Sequence, residues 1–281
     1  MLGPHTETIP VLPGAPSLFS CRKYLLAGST ALHNRWSYPV DVAGLVFIYG
    51  LFVFVFSNLW AAACSGRATL AGYDQRQLTW YFIVSELVIF GIGNSAFTAL
   101  STDIKTGQVA YTLARPWSFP LKSLSETLGC ALSMLGPFAV VGWLVGSANV
   151  GIWMPASAAH GAVLLLSILL SLILVFLCQF LLSMTAFWVE ENAAFLWIHQ
   201  KLALVLGTFL PLEFFPAAWR PWLELTPYGW LCYPPARLAA AYDPNQAVRL
   251  LSGQAAWILG LSIVSSLVFS AGSRRTAVQG G

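Results

Sequence analysis

The chain has little charge and few side chains suited to binding metals or forming disulfide bonds. Asp, Glu, Lys and Arg make up only 9% of its 281 residues, whereas soluble domains carry about a quarter. The net charge of +3 is too small and too dispersed for a nucleic-acid-binding surface. The 5 cysteines are far apart, and neither their odd number nor their spacing indicates a disulfide framework or a zinc site. These shortages argue against nucleic-acid-binding proteins and disulfide-rich secreted domains.

Sequence motifs that bind phosphates or supply a catalytic nucleophile are also missing. The chain contains no G-x-x-x-x-G-K-[ST] loop, no G-x-S-x-G turn and no H-E-x-x-H pair. Glu190 and Glu191 are adjacent, so on a helix their side chains would point about 100° apart and would not face each other as an acid and a base. We therefore expect no catalytic site, no metal site and no cofactor bound by this chain.

Long apolar runs dominate what is present. Hydrophobic residues make up 57% of the chain, and the mean hydropathy is +0.71, which is typical of an integral membrane protein. Crossing ~30 Å of hydrocarbon takes roughly 20 helical residues. Runs of about that length lie at residues 42–64, 79–100, 127–148, 158–187, 193–212 and 255–272. The sequence therefore predicts an all-α membrane protein with six transmembrane helices.

The distribution of lysine and arginine predicts the orientation of these spans, because cytoplasmic connections carry an excess of both. Eight basic residues lie in the N-terminal segment, in the connection after the second span and in the tail. Five lie in the connections on the other side, including a long segment before the last span. Both termini are therefore predicted to be cytoplasmic.

Three segments outside the spans have their own patterns. Residues 1–16 are polar and proline-rich, which predicts a flexible tail rather than a cleaved signal peptide. Residues 17–36 place apolar residues along one stripe with basic residues mostly off it, as in a helix lying in the membrane interface. Residues 211–252 combine prolines with tryptophans and predict short helices at the outer leaflet. Asp243 and Pro244 are suited to begin a helix that leads into the sixth span.

Polar residues within the spans are rare. Glu86 lies in the second predicted span, where a carboxylate is costly unless it is protonated, paired or in contact with water. Three roles remain open for it: proton coupling, a polar contact between subunits, or lining of a substrate path. Asn94 is a second candidate for a pathway or subunit contact. Glu190 and Glu191 are predicted at the cytoplasmic turn between the fourth and fifth spans, either solvated or in contact with a cytoplasmic partner.

The connection after the second span, STDIKTGQVAYTLARPWSFPLKSLSE (residues 101–126), is unusually polar for this chain. Val109, Thr112 and Leu113 fall on one face of a short predicted helix. Pro116 ends that helix, because the residue before a proline is disfavoured in the helical conformation. An inert connector needs only a few polar residues, whereas this one presents an apolar edge with basic residues beside it. We interpret it as a docking element for a cytoplasmic protein.

These features resemble the permease subunits of bacterial type-2 ABC exporters, in the six-span branch that works with a separate ATPase. In that branch the second span is followed by Ile-basic-x-Gly-x-x-x-x-x-Leu-x-Arg-Pro. The matching residues here are Ile104, Lys105, Gly107, Leu113, Arg115 and Pro116. The turn AFWVEENAAF and the segment LPLEFFPAAWRPWLELTPYGWLCYPPARL are similar to the family's aromatic–acidic turn and outer proline-rich segment. The glycine expected just before that segment is displaced to Gly207, several residues earlier.

The resemblance implies a single permease domain over residues 1–281, in the cytoplasmic (inner) membrane of a bacterium. It would form a dimer with itself or with a different permease, and substrate would be exported between the two. Two separate ATPase subunits would use ATP and Mg²⁺, and their closure would push on the interfacial helix and the docking element. The implied coupling residues are Ile104, Lys105, Gly107, Val109, Leu113, Arg115 and Pro116.

Two other functions remain open. An ion-coupled secondary transporter would have discontinuous spans and paired charges near the membrane midplane, and only Glu86 and Asn94 hint at that arrangement. A non-transporting membrane scaffold subunit would need neither. The apolar spans do not identify the cargo under any of these functions.

Overall fold

Helices make up the regular structure of the described part of the chain. This computed structural model describes residues 18–113, 115 and 117–279; the predicted tail, residues 1–16, lies outside them. The first half contains α1 (Leu18–Arg35), α2 (Pro39–Ala63), α3 (Gln75–Ile92), α4 (Ser95–Lys105), α5 (Gln108–Leu113) and α6 (Phe119–Val150). The second half contains α7 (Ala158–Ser183), α8 (Ala193–Ala203), α9 (Arg220–Glu224), α10 (Tyr228–Leu231), α11 (Tyr233–Ala240) and α12 (Pro244–Gln279).

Five helical stretches of the described residues are long and apolar enough to cross a membrane. They are Pro39–Ala63, Gln75–Lys105, Phe119–Val150, Ala158–Phe187 and Pro244–Arg274. These stretches coincide with the first, second, third, fourth and sixth predicted spans. The protein is therefore a multi-pass membrane protein, as its composition predicts.

The fifth predicted span, residues 193–212, is shorter than expected. It consists of α8 followed by a π-helical turn at Leu204–Phe209, after which the chain becomes extended at Leu210. The apolar helix Ala193–Phe209 reaches about 25 Å at 1.5 Å per residue, less than the ~30 Å of hydrocarbon. The six-span layout therefore stays a prediction.

The second span is present but is not one regular helix. α3 ends at Ile92, Gly93 adopts φ +58° and ψ −144°, and α4 begins at Ser95. This backbone conformation is essentially restricted to glycine, since a Cβ would clash with the neighbouring peptide groups. The span is thereby divided into two helices, α3 and α4, of which α4 leads into α5.

The connections between helices gather at two ends of the bundle. At the end that carries α5, Lys105 of α4 lies 3.9 Å from Glu191, which follows α7. At the opposite end, the indole of Trp153 donates a hydrogen bond of 2.9 Å to the carbonyl of Ala239. This alternation matches the predicted order of spans. Which end faces the cytoplasm stays a prediction.

α1 crosses α6 at a pair of glycines. A Cβ placed on Gly129 would overlap the backbone of Gly28, so the two helices approach more closely than larger residues would allow. Leu25 of α1 is 74% exposed, and Trp36, directly after its end, is 49% exposed. α1 thus keeps an apolar surface outside the bundle, as expected of an interfacial helix.

α12 is continuous, as the sequence predicts. The Asp243 carboxylate accepts a hydrogen bond of 2.9 Å from the Asn245 N–H at its start. Gly253 lies against the ring of Trp230 and Gly272 against the ring of Phe187, so closely that a Cβ at either glycine would overlap the ring. These contacts fix both ends of α12 to the bundle.

The predicted outer segment, residues 211–252, contains the short helices α9 to α11 and is fastened by a polar cluster. Glu213 Oε1 accepts a hydrogen bond of 2.8 Å from the Tyr233 hydroxyl and lies 3.6 Å from Arg237 Nε. The Arg237 guanidinium lies 5.3 Å from the centre of the Tyr73 ring. Burial, together with the Glu213 carboxylate, raises the pKa of both tyrosines, so both hydroxyls stay protonated.

Candidate functional site

α4 and α5 meet at a turn built on Gly107. Its φ of +74° is a left-handed conformation that glycine adopts without strain. The Gly107 N–H donates to the Ile104 carbonyl at 3.2 Å, and the Ala110 N–H donates to the Gly107 carbonyl at 3.0 Å. Ile104 and Val109 are buried in the same hydrophobic cluster as α7. The turn therefore holds α5 firmly against the end of the bundle.

The outward surface of α5 is aromatic and basic. Tyr111 is 71% exposed and Leu113 is 42% exposed, and Lys105 and Arg115 are exposed beside them. We call these four residues the docking surface. Val109 is fully buried, so the expectation that it shares an outward edge with Leu113 is corrected. Val109 anchors α5 in the hydrophobic core, and its part in coupling stays a prediction.

The end of the loop from α5 to α6 is tied to both α12 and α1. Pro116 of the predicted motif lies outside the described residues. Phe119, at the start of α6, is buried and stacks on Phe269 with the ring centroids 5.4 Å apart. The Tyr24 hydroxyl of α1 accepts a hydrogen bond of 2.8 Å from the Ser118 N–H. The interfacial helix and the docking surface are thus connected through a short stretch of chain.

The turn after α7 joins the same end of the bundle. Lys105 and Glu191 form an ion pair at 3.9 Å between largely exposed side chains, and such a pair contributes only about 0–1 kcal/mol. Asn192 is buried and donates a hydrogen bond of 3.1 Å to Ser101 Oγ of α4. Glu190 is exposed. The structure therefore brings the two predicted partner-contact regions together, with Asn192 as the firmer link.

The exposed face of α4 carries small or polar side chains only. Its members are Asn94, Ser95, Thr98, Ala99, Thr102, Lys105 and Thr106. We call it the α4 polar face. α2 differs sharply, because it exposes large apolar side chains such as Phe47 (70%) and Phe54 (53%). Polar side chains at membrane depth are costly against lipid and usually face water or protein.

The break at Gly93 is stabilised from α7. The Gln179 side chain is buried, and its Nε2 donates a hydrogen bond of 2.7 Å to the Gly93 carbonyl. Interrupting a helix frees backbone carbonyls, which must find other donors away from water. Gln179 supplies one of them. The interruption is thus a built feature of the bundle and not a frayed end.

The two polar candidates of the second span are placed differently. Glu86 is 3% exposed, and its Oε1 atom has no hydrogen-bond partner among the described residues. Asn94 is exposed at the start of α4. A contact from Glu86 to another subunit would require the surrounding helices to separate. Asn94 is accessible as it stands.

Sequence reasoning missed the roles of three residues of this region. Tyr111 is a largely exposed aromatic side chain of the docking surface, Gln179 supports the helix break, and Asn192 links α4 to the turn after α7. Gln179 stood out as a lone amide within an apolar run, and that signal could have been used. The contacts of Asn192 and the exposure of Tyr111 depend on tertiary packing.

The region offers surfaces for contact rather than reactive groups. Among the described residues, no three His, Cys, Asp or Glu side chains lie together as a metal site would require. All 5 cysteines are free, and Cys64 and Cys232 are both buried without a disulfide.

Comparison with known families agrees with the sequence motifs. A family model described as ABC-2 family transporter protein matches residues 46–280, which include every candidate site residue. No curated protein matches the chain significantly. Members of this family are the transmembrane components of ABC transporters and are not themselves ATPases. The chain therefore belongs to the ABC-2 transporter family, as a membrane permease component.

Proposed function

We propose that the chain is half of the export path of a bacterial ABC transporter, driven by separate ATPase subunits that use ATP and Mg²⁺. The observation that carries this proposal is the continuity of two surfaces. The α4 polar face runs directly into the docking surface, within a single stretch from Asn94 to Arg115. One end of this stretch is suited to a cytoplasmic protein and the other to a water-filled path.

The α4 polar face supports a second permease subunit. In a single chain this face is exposed, and facing it toward lipid would be costly. A second copy, or a related permease, would enclose it and leave a polar path between the subunits. Both termini and the α5 end would then lie in the cytoplasm, and the short helices α9 to α11 at the outer leaflet.

We infer from the contacts of α5 and α4 how a movement of the ATPase would reach the transmembrane helices. ATPase closure would push on α5, which is anchored by Val109. α4 would move with it, because the hydrogen-bonded turn at Gly107 joins the two helices. The turn after α7 would follow, because Asn192 is hydrogen-bonded to Ser101 of α4. The interruption at Gly93 would accommodate the resulting change in the angle between α3 and α4. α3, which is largely buried, would then move less than α4.

The genomic neighbourhood and reconstitution test the proposal together: we expect an ABC ATPase gene to lie beside this one, and its product to be reconstituted with the permease. We expect the two proteins to co-purify. In vesicles that contain both, we expect mass spectrometry to detect small molecules that cross the membrane only when hydrolysable ATP is supplied. A hydrolysis-deficient ATPase serves as the control. Failure of every neighbouring ATPase to bind, with the permease folded, would overturn the proposal.

A second function, ion-coupled transport, is favoured by one observation. The second span is broken at Gly93, and Glu86 of the same span is buried with an unpartnered carboxyl oxygen. Discontinuous helices with intramembrane carboxylates are typical of secondary transporters. A dependence of transport on the proton gradient at constant ATP would support this alternative.

A further inference from the structure

Three tyrosines, one carboxylate and one guanidinium meet where α3 packs against the short helices that precede α12. The ring of Tyr81, in α3, lies 6.5 Å from that of Tyr73 and 6.4 Å from that of Tyr233, measured between ring centroids. Glu213 accepts a hydrogen bond from Tyr233, and Arg237 lies over the ring of Tyr73. We call these five residues the tyrosine cluster. It is separate from the α4 polar face and from the docking surface.

Four buried polar atoms of the tyrosine cluster have no hydrogen-bond partner among the described residues. They are the hydroxyls of Tyr73 and Tyr81, Glu213 Oε2 and Arg237 Nε. Tyr73 and Tyr81 are only 3% and 1% exposed, so bulk solvent does not satisfy them. The 3.6 Å from Arg237 Nε to Glu213 Oε1 is longer than a hydrogen bond. Leaving a buried polar group unpaired is costly, and four such atoms in one place indicate a partner that they share.

The unpaired atoms define the chemistry of that partner. The Glu213 carboxylate only accepts hydrogen bonds, Arg237 Nε–H only donates, and each phenol can do both. The partner must therefore both donate and accept. The charges of Glu213 and Arg237 cancel, so an added cation would meet the guanidinium and an added anion would meet the carboxylate. A small neutral molecule fits this arrangement, and an ion does not.

The space beside the tyrosine cluster limits the partner to the size of water. A cavity of about 40 Å³ adjoins the cluster, with Tyr233 and Leu212 in its wall. One buried water needs roughly 10–15 Å³ of such volume, so the cavity holds about two or three water molecules and no larger ligand. Buried waters commonly bridge polar groups that are otherwise unpaired.

We propose that the tyrosine cluster is a binding site for bridging water molecules, which join α3 to the short helices. Water accepts a hydrogen bond from Arg237 Nε and donates one to Glu213 Oε2, and the hydroxyls of Tyr73 and Tyr81 complete its hydrogen bonds. The position of α11 relative to α3 is then set partly by exchangeable molecules. The site depends on neither the motor nor the cargo of the chain.

Radiolytic labelling of the tyrosines tests this site. A short X-ray exposure of the purified protein in nanodiscs generates hydroxyl radicals from water, including bound water, and mass spectrometry measures the oxidation of each side chain. Tyr49 is the matched control, because it is 0% exposed and its hydroxyl already donates to the Ile83 carbonyl at 3.0 Å. We expect Tyr73 and Tyr81 to be oxidised at least about threefold faster than Tyr49, because only they would contact bound water. Phe82, 1% exposed, should be oxidised as slowly as Tyr49.

Removing one hydroxyl gives an independent measurement. Tyr81→Phe takes away one partner of the water, so we expect the melting temperature to fall and the oxidation of Tyr73 to slow. An equal or higher melting temperature would overturn the proposal, because it would show that an unpaired buried hydroxyl had been removed. Oxidation of Tyr73 and Tyr81 as slow as that of Tyr49 would overturn it as well. Oxidation of Phe82 at the rate of Tyr81 would do the same, because it would show opening of the bundle instead of bound water.

Discussion

Gly107 sets the position of the docking surface through its backbone. Its φ of +74° would cost a β-branched residue about 1–3 kcal/mol, which would be relieved by rearranging the turn. We expect Gly107→Val to weaken co-purification of the ATPase at least about fivefold, since ~1 kcal/mol of misplacement corresponds to that factor.

The chain offers a matched control for Gly107 at the other end of the bundle. Gly66 has φ +76°, and a Cβ there would meet open space, as at Gly107. Gly66→Val should introduce the same strain and leave ATPase binding unchanged. If both variants bound the ATPase equally well, the turn at Gly107 would not position the docking surface.

Arg115 tests the charge of the docking surface. We expect Arg115→Glu to reduce ATPase binding and to remove much of its salt dependence, because exposed charges are screened at high ionic strength. Arg67→Glu, at an exposed position of the opposite connection, is the control for net charge. Binding isotherms at two salt concentrations measure both effects. Equal losses in the two variants would show a general charge effect only.

Glu86 distinguishes the two candidate sources of energy. Gln keeps the shape of the side chain and removes its titratable proton. If ATP drives transport, Glu86→Gln should leave the rate within about twofold and insensitive to an uncoupler at constant ATP, because a neutral side chain is also cheaper to bury. A rate abolished by the uncoupler in the unmodified protein, and already lost in Glu86→Gln, would favour the ion-coupled mechanism.

At the residue scale, the sequence located the turn but not its packing. The glycine and the basic residues of the motif could be identified from their spacing. Val109 was assigned to the outward edge because a helical face of i, i+3 and i+4 residues does not show which way it points. With only six residues in α5, the buried and exposed faces are decided by contacts with α4 and α6 that no local pattern contains.

Among the elements, α4 would pivot on Gly93 in the proposed mechanism. Ala at this position would be strained by about 1–3 kcal/mol at φ +58°, although nothing lies within 4 Å of its Cβ. We expect Gly93→Ala to keep the ATPase bound, because the docking surface is unchanged, and to reduce ATP-driven transport about tenfold through a stiffened or displaced pivot.

A second glycine controls for the substitution itself. Gly136 lies within α6, and a Cβ there also meets open space. Because its backbone is helical, Gly136→Ala should be neutral or stabilising by up to about 1 kcal/mol. Transport by Gly93→Ala at the unmodified rate would remove the pivot from the mechanism. Loss of bound ATPase would instead indicate a structural effect on the docking surface.

The sequence predicted some helices more completely than others. α12 and its start at Pro244 followed from local signals, since an aspartate before a proline begins many helices. The break in the second span did not, because a single glycine within an apolar run is also found inside regular helices. The π-helical turn at Leu204–Phe209 likewise has no sequence signature, and it left the fifth span shorter than its apolar length suggested.

For the whole molecule, the orientation is open to direct test. We expect Thr106→Cys, exposed at the α5 end, to react with an impermeant maleimide only after cells are permeabilised. Ile152→Cys, which is 60% exposed at the opposite end, should react in intact cells. Of the 5 cysteines, Cys21 is exposed, Cys130 is partly buried and the other three are buried, so Cys21→Ser provides the background. Labelling of Thr106→Cys in intact cells would place the docking surface on the wrong side for an ATPase.

The family of the whole molecule was identified from the order of its motifs, none of which is very specific alone. The surface proposed to pair with a second subunit could not be identified in this way. An exposed polar face such as that of α4 can be seen only once the helix is placed against its neighbours. Periodicity distinguishes the two faces of a helix. It does not distinguish a face covered by the same chain from one left for a second.

α12 is a single continuous helix that runs from one end of the bundle to the other. The rings of Trp230 and Phe187 pack against it at Gly253 and Gly272. These two positions are separated by about 28 Å along the helix axis. A rod held at both ends transmits tilt without bending. A displacement of the turn after α7 would therefore also displace the short helices α9 to α11. This coupling would act through α12 and not through the proposed substrate path.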